Sequence, residues 1–249
     1  MYRPESKHLI RTLMLYHSFI TDSESKVIGV RDGMSQVHVK FDLFTDPTSQ
    51  AEMERFFDFR TYWQRADHIP PRPFRIEHAR LRSRAKLTGF LKSDLYYMGC
   101  PFMLSRRARE VFAAHELGPH YWFDVFIYDK AGLLVSDDYS LFYCPYLDYE
   151  AIDFPRSRFR FNRSLPASPQ WEYFTLPDSQ TFNSFCDTKR KMPDIESLVM
   201  SERFDRSLDY FKCRIGPIFM SERLQKAIRE ACLTNAIFPV KTGSLAFAD

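Results

Sequence analysis

Glycine is scarce in this chain: 8 of 249 residues, about 3% where roughly 7% is usual. Phosphate-cradling loops need backbone that can approach the ligand closely, so a glycine-lined nucleotide site is disfavoured. Glycine-repeat architectures are excluded on the same count. Charge of one sign is also lacking, because 35 Lys and Arg stand against 32 Asp and Glu, a net +3. A nucleic-acid-binding protein usually carries a more basic total. No long apolar run exists: the stretch Leu95 to Leu104 contains Gly99 and Pro101 and is too short to span a bilayer. Met1 to Ile20 begins basic, but His8, Arg11, Thr12, His17 and Ser18 interrupt it and no small-residue cleavage site follows. It reads as a poor signal peptide, so a soluble, cytoplasmic protein without a membrane partner is expected. Cys100, Cys144, Cys186, Cys213 and Cys232 are odd in number, widely spaced and free of any C-x-x-C. That pattern supports neither a disulfide framework nor a thiolate zinc site. No cofactor and no metal are expected.

What the chain has in quantity is aromatic residues, 24 Phe, 13 Tyr and 3 Trp, within 45% apolar content. Such a chain can bury a core and is not disordered. The patterning predicts an α+β fold, a mixed or antiparallel sheet with a few packed helices. Residues 1–94 read as a β-containing extension with one helix, and residues 95–249 as an α+β domain packed with it.

In the first block, Lys26 to Phe44 reads as strands around the turn Arg31-Asp32-Gly33. Val37, Val39 and Phe41 alternate there with polar residues. A helix is expected over Ser49 to Arg65, with Ser49 and Glu52 as a capping box, ending before Pro70, Pro71 and Pro73. In the second block Leu95 to Leu104 reads as a strand, and Ser105 caps a helix to about Glu116. Strands follow at Tyr121 to Tyr128 and Tyr139 to Tyr143, then an irregular insertion at 166–194 and a strand at Glu196 to Met200. One unit recurs. Ile218 to Ser221, the helix from Glu222, Leu233 and the run Ile237 to Val240 mirror Phe102 to Ser105, the helix from Arg106, Leu117 and the strand from Tyr121 at a shift of 116 positions. Internal duplication of this strand–Ser-cap–helix–strand unit and chance recurrence both fit.

Neither Ser105 nor Ser221 lies in a G-x-S-x-G elbow. His115, His120 and Asp124 are near one another in sequence, without the spacing of a helical metal site. Two segments have skewed charge. Arg72 to Lys86 is basic, with Arg80, Arg82 and Arg84 alternating with Leu81, Ser83 and Ala85, and reads as a solvated strand edge or a phosphate-binding stripe. Ala131 to Pro155 has no Lys or Arg and interleaves acids with tyrosines. Asp137, Asp138, Tyr139, Tyr146, Asp148, Tyr149 and Glu150 are the candidate partner-binding residues, since tyrosine supplies contact area and the acids steer a basic partner.

Three segments carry a family resemblance. Tyr139-Ser-Leu-Phe-Tyr143, Leu147-Asp148-Tyr149-Glu150-Ala151-Ile152-Asp153 and Arg156-Ser157-Arg158-Phe159 follow the order Y-x-L … D-x-x-x-S. Ile218 to Leu224, with Ala227, Leu233-Thr234 and Phe238-Pro239-Val240, forms a second segment, and Leu104 to Leu117 a third. Together they resemble an immunity-protein family of bacterial polymorphic toxin systems, the myxobacterial-type immunity domain, over about residues 95–243. Cys232 and Asn235 stand where that family commonly has glycine. The resemblance implies a cytoplasmic, non-enzymatic protein that binds and occludes a cognate toxin. It makes Ser105, Asp153, Ser157, Ser221, Arg223 and Pro239 structural motif residues. Two alternatives remain open: an enzyme that reverses a toxin's modification, using groups such as His115, His120 and Asp124, and a nucleic-acid-binding protein using Arg72 to Lys86.

Overall fold

The computed structural model describes residues 15–58, 69–72, 74–95, 102–162, 170–213, 215, 217–239 and 244–248. The fold is α+β, mostly sheet with a few helices. In chain order the elements are β1 (Tyr16–Phe19), α1 (Ser25–Ile28), β2 (Val37–Val39), α2 (Pro47–Phe56), β3 (Arg75–Leu81), β4 (Phe90–Leu91), β5 (Met103–Ser105), α3 (Arg106–Ala113), β6 (Tyr121–Tyr128) and β7 (Leu134–Tyr143). The second half contains β8 (Arg158–Asn162), β9 (Trp171–Phe174), α4 (Ser179–Lys189), β10 (Asp194–Met200), β11 (Tyr210–Lys212), β12 (Ile218–Ser221), α5 (Glu222–Glu230) and β13 (Ser244–Phe247). Short 3₁₀ turns lie at Phe41–Leu43 and Tyr149–Ala151.

Three sheets result, ordered β2-β3-β6-β7-β5-β4, β13-β10-β8-β9 and β1-β12-β11. The six-stranded sheet closes on itself. Ser93, just past β4, bridges to Val37 of β2, and the Gln36 N–H donates to the Lys92 carbonyl at 2.7 Å. This contact brings the two ends of the strand order together around one apolar interior. Val37, Val39, Ile76, Leu91, Met103, Phe123, Val125, Ile127 and Leu141 fill it, lidded by Met53 and Phe56 from α2 and by Phe57 just past its end.

The second half repeats this plan. Leu147 bridges Cys213 as Val37 bridges Ser93, and the Leu147 N–H donates to the Lys212 carbonyl at 2.8 Å. β10 pairs in parallel with β13, as β3 does with β6. β11 and β12 form an antiparallel pair leading into Ser221 and α5, as β4 and β5 lead into Ser105 and α3. The first strand of each half is exchanged: β1 pairs with β12, whereas β7 pairs with β5 and β6. Between the halves lies a third cluster built largely from matching positions. Phe90 and Tyr210, Leu104 and Met220, Ala108 and Leu224, Phe112 and Ile228, and Phe142 and Phe19 all belong to it. The recurring unit read from sequence therefore covers more of the chain than the helix unit alone. Its last strand differs from expectation: Ile237 makes a single bridge to Ile20, and the counterpart of β6 is β13.

Other local readings are corrected. Lys26 to Val30 is not a strand, because Ser25–Ile28 turns into a helix that Gly29 ends at φ 80°. Asp46, not Ser49, caps α2: its carboxylate accepts from the N–H groups of Thr48 and Ser49 at 3.2 and 2.9 Å. The helix ends at Phe56, and residues 59–65 of the longer expected helix lie outside the described residues. The expected strand from Leu95 is observed only as β5, with 96–101 outside the described residues. β7 starts at Leu134, five residues before the expected strand. Of the expected irregular insertion at 166–194, residues 166–169 lie outside the described residues and the rest holds β9 and the eleven-residue α4. The basic segment is no sheet edge, because β3 lies between β2 and β6.

Candidate functional site

A cleft of about 340 Å³ opens where the first barrel closes, lined by Asp32, Met34, Ser35, His38, Arg82, Lys92, Ser93 and Asp94. Local sequence explains each placement. Val37 and Val39 point into the barrel, so His38 between them faces outward. Asp94, past β4, receives the Val39 N–H on one carboxylate oxygen at 3.0 Å and holds the other 3.2 Å from His38 Nδ1. From the end of β3, Arg82 makes a two-pronged contact with Asp32 at 2.9 and 2.7 Å and also donates to the Ser35 carbonyl at 3.1 Å. Hydrogen bonds from Arg82 and from the Met34 N–H hold the Asp32 carboxyl down at about 2. Lys92 Nζ donates to the Gly33 carbonyl at 3.2 Å, and desolvation pulls its ammonium below the ordinary lysine range. Ser93 is 1% exposed, and its hydroxyl has no hydrogen-bond partner. Both acids are thus committed to donors of the protein, while a buried hydroxyl is left unsatisfied, which costs free energy.

Sequence reasoning missed this cleft. Its members come from four separated segments, and Lys92-Ser93-Asp94 has no motif spacing. The available signal was the cluster of polar residues directly before and after two short apolar strands.

The residues named from sequence fall elsewhere. His115 Nδ1 lies 2.7 Å from the Val111 carbonyl and His120 Nδ1 lies 2.8 Å from that of Gly118. Asp124 sits 3.6 Å from Arg109. Among the described residues, no group of three or more His, Cys, Asp and Glu is placed to hold a metal. Arg80, Arg82 and Arg84 do not form one stripe. Arg80 is half-buried in β3, Arg82 is paired with Asp32, and Arg84 lies past the strand in a left-handed conformation at φ 66°.

The motif residues hold backbone. Ser105 and Ser221 cap α3 and α5, accepting from Ala108 N–H at 3.3 Å and Leu224 N–H at 3.1 Å. Ser157 is fully buried, donates to the Asp153 carbonyl at 2.7 Å and accepts from the Val199 N–H at 3.0 Å. The Asp153 carboxylate accepts from the Arg156 N–H at 3.1 Å. Arg223 grips both oxygens of buried Asp209 at 3.0 Å. Pro239 is half-buried after the last helix.

The acidic and aromatic set is divided. Asp137 and Asp138 are exposed near the start of β7, and Asp138 pairs with Arg106. Tyr139 is only 7% exposed and donates to the Thr88 carbonyl at 2.8 Å, so it offers no contact surface and leaves the partner-binding set. Tyr146 stacks over Lys212, Tyr149 packs on Phe154 and Phe182, and exposed Glu150 pairs with Arg203. Asp148 is exposed. From Asp138 to Tyr143 the strand alone runs about 17 Å, so the two acidic groups are not one patch. Beside the first lies a feature the sequence reading passed over: Leu133, Leu134 and Val135 are 67, 52 and 41% exposed at the tip of the β6–β7 hairpin.

No helix among the described residues is long and apolar enough to cross a membrane. No protein-family model matches the chain, and no curated protein is significantly similar to it.

Proposed function

We propose that this chain is a cytoplasmic immunity protein that binds a cognate toxin domain and occludes it without chemistry. The observation that carries this reading is the β6–β7 hairpin tip. Three consecutive exposed aliphatic residues stand beside the exposed carboxylates of Asp137 and Asp138. Water makes such a tip unfavourable, and contiguous exposed apolar surface is characteristic of interaction sites. A partner with an apolar recess rimmed by Lys or Arg would bury the leucines and meet the acids. The three-segment resemblance supports the same reading, since its motif residues serve caps and turns and leave the surface free to vary. The test is co-expression with toxin genes adjacent to this one: growth is rescued and a 1:1 complex elutes on gel filtration. Failure of both with every adjacent candidate overturns the proposal.

A second reading, an enzyme that reverses a toxin's modification, is favoured by one observation, the presence of His38, Lys92 and Asp94 in one cleft. The nucleic-acid reading gains less, because the arginines it needs are dispersed.

A further inference from the structure

One strand of the second half has no counterpart in the first. β8 lies antiparallel beside β10 as β2 lies beside β3, but β9 is added beyond β8. The far side of β2 is met by the bridge from Val37 to Ser93. Among the described residues, no strand pairs with the far side of β9. Such an edge is a template for another chain, and proteins commonly blunt it with Lys, Pro or a bulge. β9, Trp171-Glu172-Tyr173-Phe174, has no Lys or Pro and pairs with β8 in unbroken register. Its Trp171 and Tyr173 are 37 and 44% exposed. The two faces of the β8–β9 hairpin differ. On one, Phe161 and Phe174 pack on Phe185 of α4, 5.5 and 4.9 Å between ring centroids, and all three are half-buried. On the other, the arginines of β8 lean over β9. Arg158 lies 4.8 Å from the Tyr173 ring centroid and Arg160 4.5 Å from that of Trp171. Arg160 also binds Glu196 of β10 at 3.1 Å. Exposed Arg158 has no carboxylate partner among the described residues.

We propose that β9 is a docking edge for an extended segment of a partner protein, one that alternates acidic and apolar residues and joins the sheet as a further strand. Strand addition supplies backbone hydrogen bonds, and alternate side chains supply specificity. An acid on the outer face of the incoming strand meets Arg158, whose guanidinium lies over β9, and charge-assisted hydrogen bonds are the stronger kind. The apolar residues fall on the α4 side, where they extend the cover of Phe161, Phe174 and Phe185. Glu172 stands opposite Phe161 on that side, so an acid is unwelcome there and an apolar residue is not. Trp, Tyr and Arg are the residue types that dominate binding energy at protein interfaces, and this hairpin carries them side by side. The remaining charges favour a peptide over a nucleic acid. Asp194 and Glu196 lie on β10, across β8 from β9, and would repel a phosphate backbone crossing the sheet. A strand confined to the far side of β9 meets Arg158 first. This surface is separate from the β6–β7 tip and does not depend on the toxin reading.

The experiment is a two-dimensional amide NMR titration of the full chain with a short acetylated peptide of alternating Val and Asp, against the matching Val and Lys peptide at equal ionic strength. The acidic peptide should shift the amides of Trp171 to Phe174 saturably and slow hydrogen exchange at alternate ones. The Lys peptide should bind about tenfold more weakly, and Arg158→Gln should weaken the acidic peptide by about as much. Arg107→Gln, which removes an exposed arginine of α3, should change neither. If Arg158→Gln fails to fold, the comparison of the two peptides on wild type decides. No saturable shift in β9 overturns the proposal, as does equal affinity for the two peptides or an unchanged affinity in folded Arg158→Gln. β9 shifts that grow with protein concentration alone, with a dimer in sedimentation, overturn it by assigning the edge to a second copy. Oligothymidylate binding at β9 more tightly than the acidic peptide overturns it by assigning the surface to nucleic acid.

Discussion

Tyr16 and Tyr139 occupy the same place in the two halves of the molecule. Tyr16 pairs with Ser221 and donates its hydroxyl to the Leu208 carbonyl at 2.7 Å; Tyr139 pairs with Ser105 and donates to the Thr88 carbonyl at 2.8 Å. Each tyrosine lies on the strand its half lends to the other and bonds backbone just before the hairpin that leads to the capping serine. The exchange makes the halves interdependent, so neither sheet is complete without the other half's strand.

Replacing either tyrosine with phenylalanine should cost about 1 kcal/mol, the worth of one buried hydrogen bond. Alkali should reveal the same bonds. Burial, with Asp138 adding to it, pushes Tyr139 from 10.0 up to about 12, and burial raises Tyr16 as well. The unfolded chain loses its tyrosine protons first, so this stability is fully present below pH 10.0 and is lost as pH rises towards about 12. Urea midpoints at pH 8 and pH 11 should fall less for Tyr139→Phe than for wild type. An equal fall would remove Tyr139 from the alkaline transition.

The two capping serines should differ. Ser105→Ala loses one cap and should cost about 1 kcal/mol. Ser221 also donates to buried Asp209, which in turn receives Arg223 and the Glu116 N–H. Ser221→Ala should therefore cost roughly 2–3 kcal/mol. Equal losses in chemical denaturation would show that the Asp209 network adds nothing.

Cys232 and Asn235 both adopt left-handed backbone, at φ 50° and 67°. Glycine takes that conformation without strain, so Cys232→Gly should stabilise by about 0.5 kcal/mol. Asn235→Gly should instead destabilise by about 2 kcal/mol. Its side chain accepts from the Asp22 N–H and donates to Gln36 and the Phe90 carbonyl, tying three segments together. Thermal melts of the two variants should move in opposite directions, and a parallel shift would contradict this assignment.

Steering by the hairpin acids predicts salt-sensitive association with the toxin. Asp137→Asn with Asp138→Asn should slow association several-fold at low salt and flatten its dependence on ionic strength. Asp148→Asn, beyond the far end of β7, should leave the rate alone. Stopped-flow traces in which the Asp137→Asn, Asp138→Asn double variant matches wild type would remove these acids from recognition.

Much of this was legible in the sequence because local chemistry dictated it. The strand read at Tyr121 to Tyr128 matched β6 to the residue, and Ser105 and Ser221 were recognisable caps. The repeated helix unit was visible because its serines and leucines recur at one spacing. The exchange of β1 and β7 was not, since strand pairing between distant segments leaves no local mark. Tyr139 looked like a surface tyrosine among acids, but sequence does not tell which side of a strand meets a second layer, and its hydroxyl is satisfied inside. The cleft escaped for the same reason. Gln36, His38, Arg82 and Lys92 gather only because the six-stranded sheet closes between β2 and β4.

The central claim is that the β6–β7 hairpin tip is the surface that meets a toxin. The most direct measurement is calorimetric affinity of wild type and of Leu134→Asp for the toxin domain whose expression wild type neutralises. Leu134 is already exposed, so the variant should fold with an unchanged melting temperature. The account predicts tight 1:1 binding by wild type and a loss of at least a hundredfold in the variant, the signature of a buried anchor. Undiminished affinity in a folded Leu134→Asp protein would contradict it.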